Sequence, residues 1–588
     1  MMRMMRKHTF YRGVVLGVVV AGVWSVSACR DHGSSEAVPG GGGPTMLSGN
    51  EAKKSPEAME GGDLRALLEA ALATEKKEIV LPPGRYRVSP VDRAHLVLRG
   101  VRDRVIIADG VEMICTETTR ALTIENCHNV TLRGLTIDYD PLPFTQARIL
   151  EISPDKSTLR VAVLPGYPPI TPITGSVEVF DPATNHLRGR LTYFNTRCEP
   201  GTDGLTARLT KSNVRSELAV EQLGDIVVIK APNAPGGEIP HAIMATDCSG
   251  LVMENVTLFA SPMFGFLENG CDGSKYIGCV VGRRSPESEG IVRGHPRLRS
   301  LNADAFHSKN ARRGPAYERC TAQFMGDDAI AINGDFHFVA RGDGRVWRVL
   351  AKTRMTMRAG ENAQVFTYDG RRLEDRRIVS VTPDGEVTRD ERALIERQAM
   401  NEHLRRNGLS TAWRVELDQE VSVPPGTLIC SAERIGNGFS IRNCQVGFNR
   451  SRGILVKAGH GVIADNLIEG SVMTGILISP EYWWLEAGLS DELVISGNRI
   501  EGGRGMGIAV VAEGGNHALA QAGAFRNIRV TGNTIKGGAS PGLLLTSIRG
   551  LSEEGNVVRP DPDMELFPWQ IGPWGREGVQ PVMRVNIE

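Results

Sequence analysis

The sequence predicts an all-β chain: a right-handed parallel β-helix carrying two small inserted antiparallel β-barrel domains. Three observations predict it. Short apolar strands punctuated by Asn and Gly recur, and where no loop intervenes their spacing is that of one solenoid coil. Two stretches break the period with longer alternating strands. Gly is abundant, at 67 of 588 residues, without a Gly-X-Y period. That suits a fold of many turns and excludes collagen.

The first segment reads as an address. Arg3, Arg6, Lys7 and Arg12 precede an apolar run over 13–26. The run is too short to span a bilayer and reads as a signal-peptide core. It ends at Val26-Ser-Ala-Cys29, which resembles the bacterial lipoprotein box, where the Cys is lipidated and becomes the mature N-terminus. Residues 1–29 are therefore expected to be a lipoprotein signal peptide. Residues 30–62, rich in Gly, Ser and Pro, are expected to be a flexible linker. The expected location is the bacterial cell envelope, at the outer membrane or cell surface, with Cys29 as the lipid anchor.

The β-helix is expected over 63–146, 233–336 and 433–588. Its repeats align Leu135, Val256, Cys279, Cys320, Cys444, Asn466, Asn498 and Asn533 in one column. Cys279 lies 23 residues after Val256, and Asn466 lies 22 after Cys444. One coil cannot bury its inner face alone, so coils must stack. Asn in such a column predicts an amide ladder, and Cys or Val predicts interior packing. Of ten cysteines, nine remain once Cys29 is set aside, so a full set of disulfides is impossible.

The insertions are expected over 147–232 and 337–432. The first reads as strands at Arg148–Ile152, Leu159–Leu164, Gly175–Phe180, Leu187–Phe194 and Ile226–Ile229. The second adds a helix near Arg389–Arg406. Long insertions in surface loops cost little closure entropy and often wall a cleft.

Lys+Arg and Asp+Glu both total 68. That balance argues against a nucleic-acid partner. Hydrophobic residues at 41% and charged residues at 23% exclude a disordered chain. The His and Cys spacings match no zinc pattern, and no phosphate-binding Gly loop follows a strand. No metal or cofactor is expected.

Three acids carry the chemistry: Asp304 in Asn302-Ala-Asp-Ala-Phe-His-Ser308, and the pair in Met325-Gly-Asp-Asp-Ala-Ile-Ala-Ile-Asn333. Asp304 and Asp327 are 23 residues apart, one coil, so the three carboxylates should share a face on adjacent rungs. Like charges that close raise at least one pKa, which keeps an acid protonated for glycoside hydrolysis. A solvated turn or a calcium site is the other reading of the same spacing.

Ala303-Asp-Ala-Phe-His307 followed by Met325-Gly-Asp-Asp-Ala329 resembles glycoside hydrolase family 110, exo-acting α-1,3-galactosidases, and more distantly the family 28 polygalacturonases. Ile137-Asp-Tyr-Asp-Pro-Leu-Pro-Phe-Thr-Gln146 is similar to family 110 as well. The resemblance covers 63–588. It implies a β-helix with β-barrel domains and an inverting hydrolase releasing terminal α-linked galactose. By analogy Asp327 is the general acid, while Asp304 and Asp328 position and deprotonate water across roughly 6.5–9.5 Å. Ile332-Asn-Gly334 departs from the family's His-Gly pair, and Gly459-His-Gly461 follows its strand where polygalacturonases place it before. Both departures bear on the substrate.

Further expected glycan contacts are His307, Arg452, Lys457, Asp138, Asp140, Gln146, Glu481 and Trp483. Tyr482-Trp-Trp484, with Glu481 and Glu486, reads as a sugar-stacking wall or as packing. Arg283, Arg284, Arg293, Arg297 and Arg299 read as a solvated loop or as a hold for a uronate or sulfate. The partner is thus an oligo- or polysaccharide, with the membrane reached through the lipid. Two alternatives stay open: a β-helix polysaccharide lyase or uronate epimerase, and a non-catalytic surface glycan-binding solenoid.

Overall fold

The computed structural model describes residues 62–588, apart from 190–191, 213–218, 232–239, 286–294, 399, 403 and 567–579. Cys29, the signal segment and all but the last residue of the tether lie outside the described residues, as does Arg293.

The body is a right-handed parallel β-helix. A complete coil holds three short strands, for example Phe266–Asn269, Lys275–Ile277 and Val280–Val281. Each pairs in parallel with its counterpart on the next coil, here Phe306–Lys309, Ala316–Glu318 and Thr321–Gln323. The third strands form one sheet from Gly84–Val88 to Val557–Arg559.

The interior follows from the repeat. Ile243, Phe266, Phe306, Ile330, Ile454, Ile476 and Ile508 stack in register, all buried. Phe266 and Phe306 stack at 4.8 Å, and Tyr276 and Tyr317 at 5.0 Å. The column aligned in the sequence is a column in space. Its Asn members form the expected ladder. The Asn466 side chain donates to Ile441 O at 3.0 Å and to Asn498 Oδ1 at 2.9 Å. Asn498 repeats this toward Ile463 and Asn533, and Asn533 toward Ile495 and Asn556. Nine cysteines are free and buried. Cys279 and Cys320 donate weakly from Sγ to Met253 O and Tyr276 O, both at 3.3 Å.

In the described solenoid, outside the insertions, one helix departs from the β-pattern. Helix Leu64–Leu72 buries Leu64 and Leu68 against the first coils, and Asp63 caps it by accepting from the Arg65 and Ala66 N–H groups. A terminal cap of this kind closes an otherwise open solenoid end.

Both insertions are antiparallel. In the first, Ile173–Asp181 pairs with Tyr193–Pro200, and the pairing continues through Thr206–Thr210, Thr158–Val163, Phe144–Ile152 and Ile226–Lys230 back to Ile173–Asp181. In the second, His337–Asp343, Val346–Lys352, Leu409–Leu417, Arg376–Glu386, Asn362–Phe366 and Leu428–Ser431 form a closed barrel. Each has its own apolar core, around Val161 and Leu209 in one and Trp347 and Val349 in the other.

Three local expectations are corrected. The first barrel strand starts at Phe144, ahead of the expected boundary. The strand expected over Leu187–Phe194 is two strands, His186–Leu187 and Tyr193–Pro200. The helix expected near Arg389–Arg406 ends at Glu396, and a separate π-turn spans Leu404–Gly408. Among the described residues no helix is long and apolar enough to cross a membrane.

Candidate active site

The acids stand on the corner that leads from the third strand of one coil into the first strand of the next. Strands Phe306–Lys309, Ile330–Asp335 and Ile454–Val456 pair in register. Two residues before their paired members come Asp304, Asp328 and Arg452, which therefore form one column. The backbone confirms it: Ala305 N–H donates to Asp328 O at 3.0 Å, and Ala329 N–H to Arg452 O at 3.1 Å. The 23-residue spacing read from the sequence pairs Asp304 with Asp327. The true register pairs it with Asp328, and Asp327 sits one residue to the side. Gly326 lets this turn press on the coil before it, since a Cβ there would lie 2.8 Å from Asn302 O.

One oxygen from each of Asp304, Asp327 and Asp328 lies within 4.8 Å of the others. Among the described residues this is the grouping close enough to hold a cation. Guanidinium groups already meet two of its members. Arg450 Nη2 is 2.6 Å from Asp327 Oδ1, and Arg452 Nη2 is 2.8 Å from Asp328 Oδ2. The Arg452 N–H also donates to Asp328 Oδ1 at 2.8 Å. Asp304 Oδ2 is 2.7 Å from His307 Nδ1.

Exposure separates the three. The Asp327 side chain is 36% exposed, against 6% for Asp304 and 4% for Asp328. Burial, followed by the charges of Asp327 and Asp328, pushes the Asp304 carboxyl well above the usual range. Burial and Asp327 raise Asp328 as well, against the pull of Arg452. Burial lowers His307 to about 3, so its imidazole is neutral.

A second belt of charge backs the first. Lys457, wholly buried, lies 3.0 Å from both Glu481 Oε2 and Glu486 Oε2. Arg452 Nη2 is 3.7 Å from Glu481 Oε1. Burial outweighs these cations at Glu481 and raises it to about 7. At Glu486 burial also raises the pKa, but Lys457, Lys352 and Lys309 together hold it well below the usual range. Glu486–Ala487 pairs antiparallel with Gly334 and Asp335, which fixes the loop that carries both acids. Asp335 pairs with Lys352 at 3.1 Å and Lys309 at 3.4 Å.

The insertions flank this corner. From the first, Glu178 Oε2 lies 2.7 Å from Arg299 Nη2, its Oε1 lies 3.8 Å from Arg450, and the Phe194 ring faces Arg450 at 5.5 Å. From the second, Lys352 donates to Leu485 O at 3.1 Å, and Tyr482 Oη donates to Gly426 O at 2.7 Å. Tyr482 is thereby a packing residue of the second insertion.

Of the expected contacts, the structure brings His307, Arg452, Lys457 and Glu481 together with the acids. Trp483 is on the Glu481 loop, where its carbonyl accepts from Asn401 N–H at 2.9 Å. Its indole N–H is buried without an acceptor among the described residues. Asp138 and Gln146 are placed otherwise. Asp138 has no exposed surface and holds Arg297 through two contacts of 2.9 Å and Arg284 through one more of 2.9 Å. Gln146, equally buried, accepts from Leu298 N–H at 2.7 Å and donates to Pro296 O at 3.1 Å. Both anchor the loop leading to Asp304. Asp140 pairs with Arg87 at 2.8 Å on an exposed rim.

The basic stretch is not a solvated loop. Arg297 and Arg299 are buried, Arg284 pairs with Asp138, and Arg283 lies 3.6 Å over the Phe324 ring. Arg284 and Arg297 spend their charge on Asp138, and Arg299 on Glu178. Sequence reasoning missed Arg450, Lys309, Asp335 and Lys352. Arg450 carried a signal: it stands two residues before Arg452, at the same corner.

No protein-family model matches the chain, and no curated protein does. Solved structures that resemble it include the A-module of a mannuronan C-5 epimerase of Azotobacter vinelandii, at 11% identity and TM-score 0.32 over 89% of this chain and 93% of that one. A family 28 exopolygalacturonase of Yersinia enterocolitica gives 8% identity and TM-score 0.37 over 90% and 77%. A surface adhesin of Streptococcus pneumoniae gives 8% identity and TM-score 0.32 over 84% and 87%. At such distances the site itself has to carry the functional reading.

Proposed function

We propose that this chain is a carbohydrate-active enzyme that cleaves a glycosidic bond by proton transfer from the Asp304–Asp327–Asp328 cluster. The observation that carries it is three carboxylates within 4.8 Å, of which one reaches solvent, on a corner flanked by both insertions. Three carboxylates that close cannot all ionise, so the cluster stores a proton. Asp327 is its outlet and protonates the leaving oxygen. Asp304, fixed by His307, holds that proton in reserve for Asp327, while Asp328, fixed by Arg452, takes a proton from the water whose oxygen bonds to the anomeric carbon as the glycosidic bond breaks. Five cations, Arg450, Arg452, Lys457, Lys309 and Lys352, face six carboxylates across the two belts, which leaves room for the stored proton. Terminal α-linked galactosides are the first substrates to test, on the family 110 resemblance. Export and lipid attachment at Cys29 belong to the same reading, and mass spectrometry of the mature N-terminus checks them.

The second reading is proton abstraction beside a uronate carboxylate, as in a lyase or epimerase. The three Asp oxygens within 4.8 Å favour it, because a cation held there would neutralise the uronate carboxylate; His307, lowered to about 3 by burial, is too weak a base to take the proton. Lys457 does not serve it, since it is buried between two carboxylates with no exposed surface.

Proton NMR of the anomeric region separates these readings. The protein and its Asp327→Asn variant are incubated with α- and β-linked galactosyl and galacturonosyl oligosaccharides. Release of free sugar that the variant loses supports hydrolysis, and the first anomer seen reports inversion or retention. An unsaturated product absorbing in the ultraviolet, or exchange of the uronate C5 proton in heavy water, overturns hydrolysis in favour of the second reading. Glycan binding that survives Asn at 304, 327 and 328, with no product, leaves a binding solenoid.

A further inference from the structure

The same corner carries a second column on its outer side. Phe324, Phe448, Gly470, Gly502 and Gly537 each follow residues that pair from coil to coil: Gln323, Gly447, Glu469, Glu501 and Lys536. All five have positive φ, from 48° at Phe448 to 74° at Gly537. Glycine suits that conformation, and a bulky side chain there is an outlier that asks for a functional reason. Two rungs nonetheless carry Phe, with rings stacked at 5.3 Å and 14°.

The stack has a closed end and an open one. Arg283 covers Phe324. At the other end the Phe448 ring overhangs Gly470, where a Cβ would lie 2.7 Å from the ring. Beyond it, over Gly470 and Gly502, lies a cavity of about 190 Å³ lined by His186, Leu187, Phe448, Glu469, Val472 and Arg504. The cavity occupies the place where the ring column stops. Its wall is the His186–Leu187 hairpin of the first insertion. Arg504 Nη2 donates to Leu187 O at 2.8 Å, and the His186 ring lies 4.9 Å from Phe448. Among the described residues no hydrogen bond or ion pair holds the Glu469 carboxylate. The cavity is two to three coils beyond Asp327 on the same corner, roughly 10–15 Å at about 4.8 Å per coil.

We propose that this slot is a sugar subsite, separate from the acid cluster, in which a neutral pyranose ring takes the next place in the Phe324–Phe448 stack. The apolar C–H face of the sugar lies on Phe448 and Val472. Its hydroxyls donate to Glu469 and accept from Arg504. The Glu469 carboxylate repels a uronate or a sulfated sugar, while Glu501 on the next rung is taken by Arg499 at 2.7 Å and Lys536 at 3.4 Å. The inference rests on the reading of the chain as acting on glycans, and it adds that the glycan is neutral and extends several residues past the reacting bond.

The test is calorimetric titration of the full chain with neutral galacto-, gluco- and manno-oligosaccharides of four to six units, and with oligogalacturonides of the same lengths. Two variants accompany it. Gly502→Phe places a ring in the slot, in the conformation that Phe448 already adopts. Glu469→Gln keeps the shape and removes the charge, and it decides the matter if Gly502→Phe does not fold. The expected result is binding of a neutral oligosaccharide that each variant weakens about tenfold or more, the loss of one or two charge-assisted hydrogen bonds. Equal binding by Glu469→Gln and the unaltered chain overturns the slot, as does preference for oligogalacturonides or binding of none of the panel. A glycan that is cleaved but indifferent to Glu469→Gln overturns the slot and leaves the acid cluster standing. One bound through the slot and never cleaved does the reverse.

Discussion

Two columns of stacked polar side chains run along this solenoid and put the same geometry to opposite use. Inside, Asn466, Asn498, Asn533 and Asn556 repeat one residue, and every rung satisfies the next. On the corner, Asp304 and Asp328 also repeat one residue on adjacent rungs, and the column is stable only with Arg452 below it and a proton above. An amide carries both a donor and an acceptor, so repetition satisfies it. A carboxylate carries acceptors only, so repetition demands a cation or a proton. Stacking itself says nothing about function in a β-helix; the hydrogen-bonding balance of the stacked residue does.

The largest expected effect breaks the corner column where it meets solvent. Asp327→Asn should lower turnover of any cleaved glycan by roughly 10²–10⁴-fold, the usual worth of a general acid, with the thermal midpoint unchanged. A steady-state assay beside a thermal melt checks both. A loss of less than about tenfold would mean that Asp327 is a turn residue outside the chemistry.

The next effect breaks the interior column and has the opposite signature. Asn498→Ala leaves the Asn466 N–H and side-chain amide without their acceptor and Ile463 O without its donor. Each buried group so orphaned costs about 1–3 kcal/mol. The urea midpoint should fall, and activity per folded molecule should stay the same. Lost activity in the folded variant would show that the two columns are coupled.

A smaller effect sharpens the comparison through pH. Asp304 is raised in the folded protein, so folding favours its protonated form. Its contribution to stability is complete below the ordinary carboxylate range and is lost as pH rises through the raised value. Asp304→Asn cannot ionise and should melt higher than the unaltered chain above neutrality, with the two curves meeting near pH 4. Glu481, raised to about 7, follows the same sign, with its loss running from the ordinary carboxylate range up to that value. Glu481→Gln should therefore flatten that step. Midpoints of Asn498→Ala that track the unaltered chain at every pH would confirm that only the corner carries charge strain.

Much of this was legible in the sequence, for a physical reason. The column from Leu135 through Cys279 and Cys320 to Asn533 could be aligned because a solenoid turns a chain offset into a contact, so adjacent rungs stay within a few dozen residues except across the two insertions. The acids were legible on the same principle, one coil apart. What was hidden came from the insertions, which bring together residues far apart in the chain. Arg297 meets Asp138 across 159 residues, so neither the buried pair nor the burial of the basic stretch shows in local composition. Glu178 reaches Arg299 and Arg450 only because the first insertion folds back onto the corner. Helix Leu64–Leu72 was hidden because it occurs once, and repeat reading finds only what recurs.

The smallest expected effect asks where the interior column stops being a ladder. Toward the N-terminus its members are Cys444, Cys320, Cys279 and then Val256. Cys444 N–H still donates to Asn466 Oδ1 at 2.9 Å, so the amide network ends there. Cys320 contributes only a weak Sγ–H bond to Tyr276 O at 3.3 Å, and its neighbour Cys279, with burial behind it, pushes its thiol up to about 12. It therefore stays protonated at physiological pH and behaves as a small apolar group. Val occupies the same place two coils away, so the backbone there accepts a β-branched side chain. Cys320→Val should shift stability by less than about 1.5 kcal/mol, the usual cost of a volume-conserving core exchange, and leave thermal midpoints within a few degrees at every pH. A loss as large as that of Asn498→Ala would mean that the thiols carry the ladder onward, and that the column is one polar network from Met253 to Asn556 in place of an amide ladder continued by apolar packing.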